Sequence, residues 1–98
     1  MDNINWYKKS QEPGLTEDFI RNHQYKVDWD YISTYQVLSE DFIREFQDRV
    51  NWYCISYKQK KLSRDFILDF INKLNIEALL EYQKLDPETR EYLKLLKG

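Results

Sequence analysis

Glycine, proline, cysteine and histidine are nearly missing from these 98 residues, which contain two glycines, two prolines, one cysteine and one histidine. With Gly14 and Gly98 so far apart, neither a P-loop nor a dinucleotide fingerprint can be written, because both need clustered glycines to bring backbone close to phosphate. Cys54 cannot make an internal disulfide and fits a reducing cytoplasm. Zinc requires three or four nitrogen or sulfur ligands, whereas Cys54 and His23 supply two, so no metal and no cofactor is expected. No apolar run approaches the roughly 20 residues of a membrane span, and MDNINWYKKS at the amino terminus has no signal-like apolar stretch. Flexible linkers and low-complexity tracts are missing too, so one domain over 1–98, in the cytoplasm and away from membranes, is expected.

What the chain does have is a period. Trp6, Trp29 and Trp52 recur every 23 residues, and Leu15, Leu38, Leu62 and Leu85 recur at 23, 24 and 23. Each leucine precedes a helix-starting residue, namely Thr16, Ser39, Ser63 and Asp86. The copies read LTEDFI, LSEDFI, LSRDFI and, degraded, LDPETR, with the extra lysine of Lys60-Lys61 explaining the longer interval. A period of this length marks a repeat array. Its units cover about 5–27, 28–50, 51–74 and 75–98.

Within a unit the apolar spacing is helical. Phe42, Ile43, Phe46 and Val50 step by one, three and four, as do Phe66, Ile67, Phe70, Ile71 and Leu74. Asn5, Asp28, Asn51 and Asn75 stand ahead of the other helix as caps. WYCIS, taken alone, also suits a strand, but its counterpart IEALL is made of strong helix formers. The fold expected is all-α, a short α-solenoid of four helix–turn–helix units that must stack to bury their aromatic faces. The first helix of each unit is expected to run about eight to ten residues and the second about ten to twelve.

The segment WDYISTYQVLSEDFIREFQDRVNWYCIS resembles a tandem short repeat of proteins from large DNA viruses and some phages, in which a tryptophan, an Ile-Ser pair, a glutamine and an LSEDFI-like stretch share one unit. The likeness covers about residues 27–74 and fades in the outer copies; the first has Lys9-Ser10 in place of Ile-Ser. It implies a virus- or phage-associated helical array inside the host cell, and it brings no catalytic residues.

Chemistry is sparse. His23 and Cys54 lie in different copies, and His23 aligns with Phe46 and Phe70, as a relaxed apolar position in a terminal copy would. The helically spaced pairs Asp41/Glu45 and Asp65/Asp69 fall in first turns and on polar faces, where acid suits the helix dipole. No catalytic residue is assigned, and the chain is read as a non-enzyme.

Surfaces are more telling. Residues 28–50 carry a net −4 and residues 51–74 a net +3. Asp28, Asp30, Glu40, Asp41, Glu45 and Asp48 could form an acidic face that docks on a basic host protein or nucleoprotein complex, or could be an ordinary solvated exterior. Tyr31, Tyr35, Tyr53 and Tyr57 lie beside the repeated core positions, as interface anchors or as the wet rim of the core. Beside Lys58, Lys60 and Lys61 such tyrosines could stack on single-stranded nucleic acid, although a pI near 5.4 weighs against a phosphate-driven binder. The helix expected over 87–97, with Tyr92, Leu93, Leu95 and Leu96, offers a route to self-association. The expected function is a protein-binding module; a sharper form is an inhibitor of a host defence or nucleic-acid-handling complex.

Overall fold

Short polar side chains close seven of the helix starts, with at least one in each repeat. The side chains of Asn5, Asp28 and Asn75 accept hydrogen bonds from the amides of Lys8, Tyr31 and Ala78, and those of Thr16, Ser39, Ser63 and Asp86 accept from Phe19, Phe42, Phe66 and Thr89. Each such cap is worth about 1 kcal/mol. The computed structural model describes residues 3–98 and is all α-helical, with eight helices and no strand among those residues. In order they are α1 (Trp6–Gln11), α2 (Glu17–Asn22), α3 (Trp29–Tyr35), α4 (Glu40–Glu45), α5 (Trp52–Lys58), α6 (Arg64–Asp69), α7 (Ile76–Tyr82) and α8 (Pro87–Lys97). They form four helix–turn–helix repeats, and WYCIS is helical like its counterparts. Residues up to Asn51 form one compact unit, which holds the first two repeats, and residues from Trp52 form a second, which holds the other two.

Seven of the helices are shorter than the apolar pattern alone predicts, while α8, with 11 residues, has the expected length. α2, α4 and α6 stop after six residues because His23, Phe46 and Phe70 leave helical geometry, with ψ of 28°, 31° and 25°. Each of these rings packs on the tryptophan of its own repeat, at 5.1 Å for Trp6–His23, 5.1 Å for Trp29–Phe46 and 5.0 Å for Trp52–Phe70. One more turn follows, closed by the amides of Val27, Val50 and Leu74 donating to the carbonyls of those same residues, and it tucks Val27, Val50 and Leu74 into the core. The aromatic contact thus bends the chain inward where a straight helix would carry it away.

Within each unit the first helices of its repeats pack together, α1 on α3 and α5 on α7. The apolar core runs through Ile20, Ile32, Phe42 and Ile43 in the first unit and through Ile55, Phe66, Ile67, Leu79 and Leu93 in the second. Leu93 therefore belongs to the core and not, as the sequence pattern suggests, to an exposed face of α8; Tyr92, Leu95 and Leu96 are exposed there.

Buried polar side chains join the stacked helices. The hydroxyl of Ser10 donates to the Trp6 carbonyl at 2.6 Å and accepts from the amide of Asp28 at 2.9 Å. Gln36, also buried, donates from Nε2 to the carbonyls of Ser10 and Glu12 at 3.0 and 2.6 Å, and its Oε1 accepts from the Leu15 amide at 3.1 Å. The second unit repeats the joint. Ser56 donates to the Trp52 carbonyl and accepts from the Asn75 amide, while Gln83 donates to the carbonyls of Ser56 and Gln59. Ser33 in the same way accepts from the Asn51 amide at 2.9 Å.

Replacing Gln36 by leucine leaves two carbonyls and one amide without this partner, each a loss of about 1–3 kcal/mol when buried. Thermal unfolding of Gln36→Leu is expected about 10–20 °C below the wild type, whereas Val37→Ala, at a neighbouring exposed position, shifts it little. An unchanged melting temperature for Gln36→Leu contradicts the joint.

Candidate functional site

Short helices present their variable side chains in rows, and tyrosine makes the most regular of these. In the first unit Tyr31 on α3 meets Tyr7 on α1 edge-on, with centroids 5.5 Å apart at 66°, and lies 5.9 Å from Tyr35. In the second unit Tyr57 lies 5.1 Å from Tyr53 on the same helix and 5.6 Å from Tyr82 on α7. Tyr31 and Tyr57, in the middle, are half-buried. The flanking rings are open, with Tyr7 at 62%, Tyr35 at 51%, Tyr53 at 54% and Tyr82 at 56% exposure. The four tyrosines singled out from sequence are thus brought into two rows, each completed by a ring that sequence reasoning passed over, Tyr7 in one and Tyr82 in the other. The signal was present: Tyr7 and Tyr31 are 24 residues apart and Tyr57 and Tyr82 are 25, close to one repeat.

The six acids have more varied surroundings. Asp28 is half-buried and spent on capping α3, with its Oδ1 3.0 Å from the Tyr31 amide. Asp30 is exposed and accepts from Asn51 Nδ2 at 2.9 Å. Glu45 is held by Arg21 of α2 through two hydrogen bonds of 2.8 and 2.7 Å, and Arg21 also reaches Asp18 at 2.6 Å. Glu40 and Asp41 occupy the first turn of α4, the former half-buried and the latter exposed, and Asp48 is exposed in the turn beyond it. Asp28, Asp30 and Glu45 therefore have structural work, and Asp41 presents acidic charge to solvent.

A second joint accompanies the Arg21–Glu45 pair. Glu17 accepts from both the amide and the hydroxyl of Ser39, at 2.7 and 3.0 Å, so that α2 holds the cap of α4. The second unit has an ion pair of Arg64 with Glu88 at 3.2 Å.

His23 stacks between Trp6 and Phe19, at 5.1 and 4.4 Å, in the place that phenylalanine fills in the next two repeats. Among the described residues no group of three or more histidine, cysteine, aspartate or glutamate side chains is arranged to hold a metal ion. No helix among them is long and apolar enough to cross a membrane. Two open hollows occur in the second unit. One, of about 540 Å³, lies along α8 and is lined by Arg64, Leu68, Glu88, Tyr92 and Leu95, among others. The other, of about 470 Å³, gathers Tyr57 and Tyr82 with lysines of the loop after α5.

The hydrogen bonds from Arg21 hold the Glu45 carboxyl below the usual glutamate range, and the hydroxyl of Thr89 does the same for Asp86. A depressed carboxylate adds stability above its unfolded pKa and loses that contribution as pH falls through the folded one. Stability is therefore expected to hold near neutrality and to decline below about pH 4. Glu45→Gln removes part of that acid-dependent decline in pH-resolved thermal melts, and in the wild type that same part weakens with added salt because the pair is half-exposed. An identical acid profile for wild type and variant contradicts the assignment. Comparison of the chain with protein-family models, with curated proteins and with solved structures finds no match.

Proposed function

We propose that the protein is a non-enzymatic module that binds another protein, using the tyrosine row of its first unit as the anchor and the exposed acids of that unit to set the charge of the partner. The exposed row of Tyr7, Tyr31 and Tyr35 carries this reading. Tyrosine gives large amphipathic contact area with little rotamer entropy to lose, which is why interface hot spots are rich in it. Ten acids against six basic residues in 1–51 make a basic partner surface the complementary one.

A sharper form draws on the likeness of residues 27–74 to viral and phage repeats: an inhibitor of a host defence or nucleic-acid-handling complex. In it, the exposed carboxylates of Asp41 and Asp48 stand where a phosphate backbone would otherwise sit.

Affinity purification from host lysate with quantitative mass spectrometry tests both forms. A basic protein enriched by the wild type is expected to be lost with Tyr7→Ala/Tyr35→Ala, and its binding is expected to weaken steeply with Asp41→Lys/Asp48→Lys. Recovery of the same proteins by the tyrosine variant rejects the anchor. Recovery unaffected by the charge reversal rejects the acidic face and, with it, the inhibitor.

A further inference from the structure

The second unit carries charge of the opposite sign at its own tyrosine row. The last residue of α5 and the loop after it run Lys58-Gln59-Lys60-Lys61, and the end of α7 brings Tyr82-Gln83-Lys84 beside it. Together they line the hollow of about 470 Å³, with no carboxylate in its wall. That volume lies within the roughly 300–1,000 Å³ usual for ligand sites. None of Lys58, Lys60, Lys61 and Lys84 makes an ion pair among the described residues. Lys58 Nζ instead lies 5.8 Å from the centroid of Tyr57. Four uncompensated ammonium groups around one concavity repel one another, and an anion relieves that repulsion.

Two further observations point the same way. Tyr57 and Tyr82 stand 5.6 Å apart with planes inclined at 56°, so the hollow has aromatic walls as well as cationic ones. Lys61, the extra residue of the third repeat, has φ of 59°, a left-handed conformation that glycine occupies with far less strain. The first repeat does have a glycine in such a conformation just before its leucine, Gly14 at φ 81°. Lysine is thus carried at a place where backbone geometry disfavours it.

We infer that the hollow formed by Tyr57, Tyr82, Lys58, Lys60, Lys61 and Lys84 is a binding site for single-stranded nucleic acid, with a base stacked on the tyrosines and the lysines set against the flanking phosphates. Aromatic faces combined with unpaired lysines are what such sites use. A duplex keeps its base faces within the stack and cannot reach the rings, and an acidic peptide satisfies the lysines without needing them. The site is separate from the anchor proposed for the first unit, so either can fail without the other.

Fluorescence anisotropy of the full-length protein with a labelled oligo-dT strand decides the matter. Binding is expected at about 50 mM salt and to fade towards 200 mM, with a slope of log affinity on log salt near −3 if four phosphates are neutralised. Tyr82→Ala is expected to weaken binding on the order of ten-fold, and Lys60→Ala/Lys84→Ala to reduce the slope by about half. All three side chains are exposed, and circular dichroism melts verify that the variants fold. Absence of binding at low salt overturns the inference. So does equal binding of a duplex of the same length, or equal binding of poly-glutamate that is indifferent to Tyr82→Ala; the latter would make the hollow a general anion site.

Discussion

Every α-helix leaves its first four amides and last four carbonyls without intrahelical partners, and in helices of six or seven residues those ends are most of the helix. This is the constraint on which the structure rests. Side-chain caps satisfy part of the deficit within a repeat. A further part is met from the repeat alongside: Ser10 takes the amide of Asp28, and Gln36 returns across the joint to the carbonyls at the end of α1. Ser56 and Gln83 do the same between α5 and α7. Isolated helices this short are not stable in water, so a single repeat has neither the buried area nor the backbone satisfaction to persist. Stacking supplies both at once.

The division of labour between columns of the repeat follows. Four residues after the tryptophan stands serine in the first three repeats, and seven after it stands glutamine in the second, third and, counting from Ile76, fourth. The first repeat has Pro13 where the glutamine would be, and the fourth has Leu80 where the serine would be. With the joints assigned to fixed columns, the remaining outward positions are free to vary. There the two units diverge, the first with exposed acids and the second with unpaired lysines around Tyr57 and Tyr82. Function is proposed at those varying positions because the recurring ones are occupied in holding the stack.

The repeat boundaries, the helical class and seven caps are legible in the sequence because each rests on local chemistry that recurs with the period. Helix length is not, because FIREFQDRV has helical spacing throughout, while the contact of Phe46 with Trp29 ends α4 early. The joining role of Ser10, Gln36, Ser56 and Gln83 is not legible for a related reason: a polar residue reads as surface until the neighbouring backbone groups that it serves are known. Tyr7, Tyr82 and Lys84 are missed because their partners sit in another repeat at a different column, so aligning the copies does not bring them together. The acidic residues were legible as a run along the chain, but only coordinates separate Glu45, tied to Arg21, from the open Asp41.

Amide hydrogen exchange, read residue by residue by NMR, probes the joints most directly. The amides of Asp28 and Asn75 precede their helices and have no helical partner, so any slow exchange there comes from the hydroxyls of Ser10 and Ser56. Protection comparable to helix interiors, lost at Asp28 in Ser10→Ala and at Asn75 in Ser56→Ala, is the expected result. Rapid exchange of both amides in the wild type would mean that neighbouring repeats are not joined by these side chains.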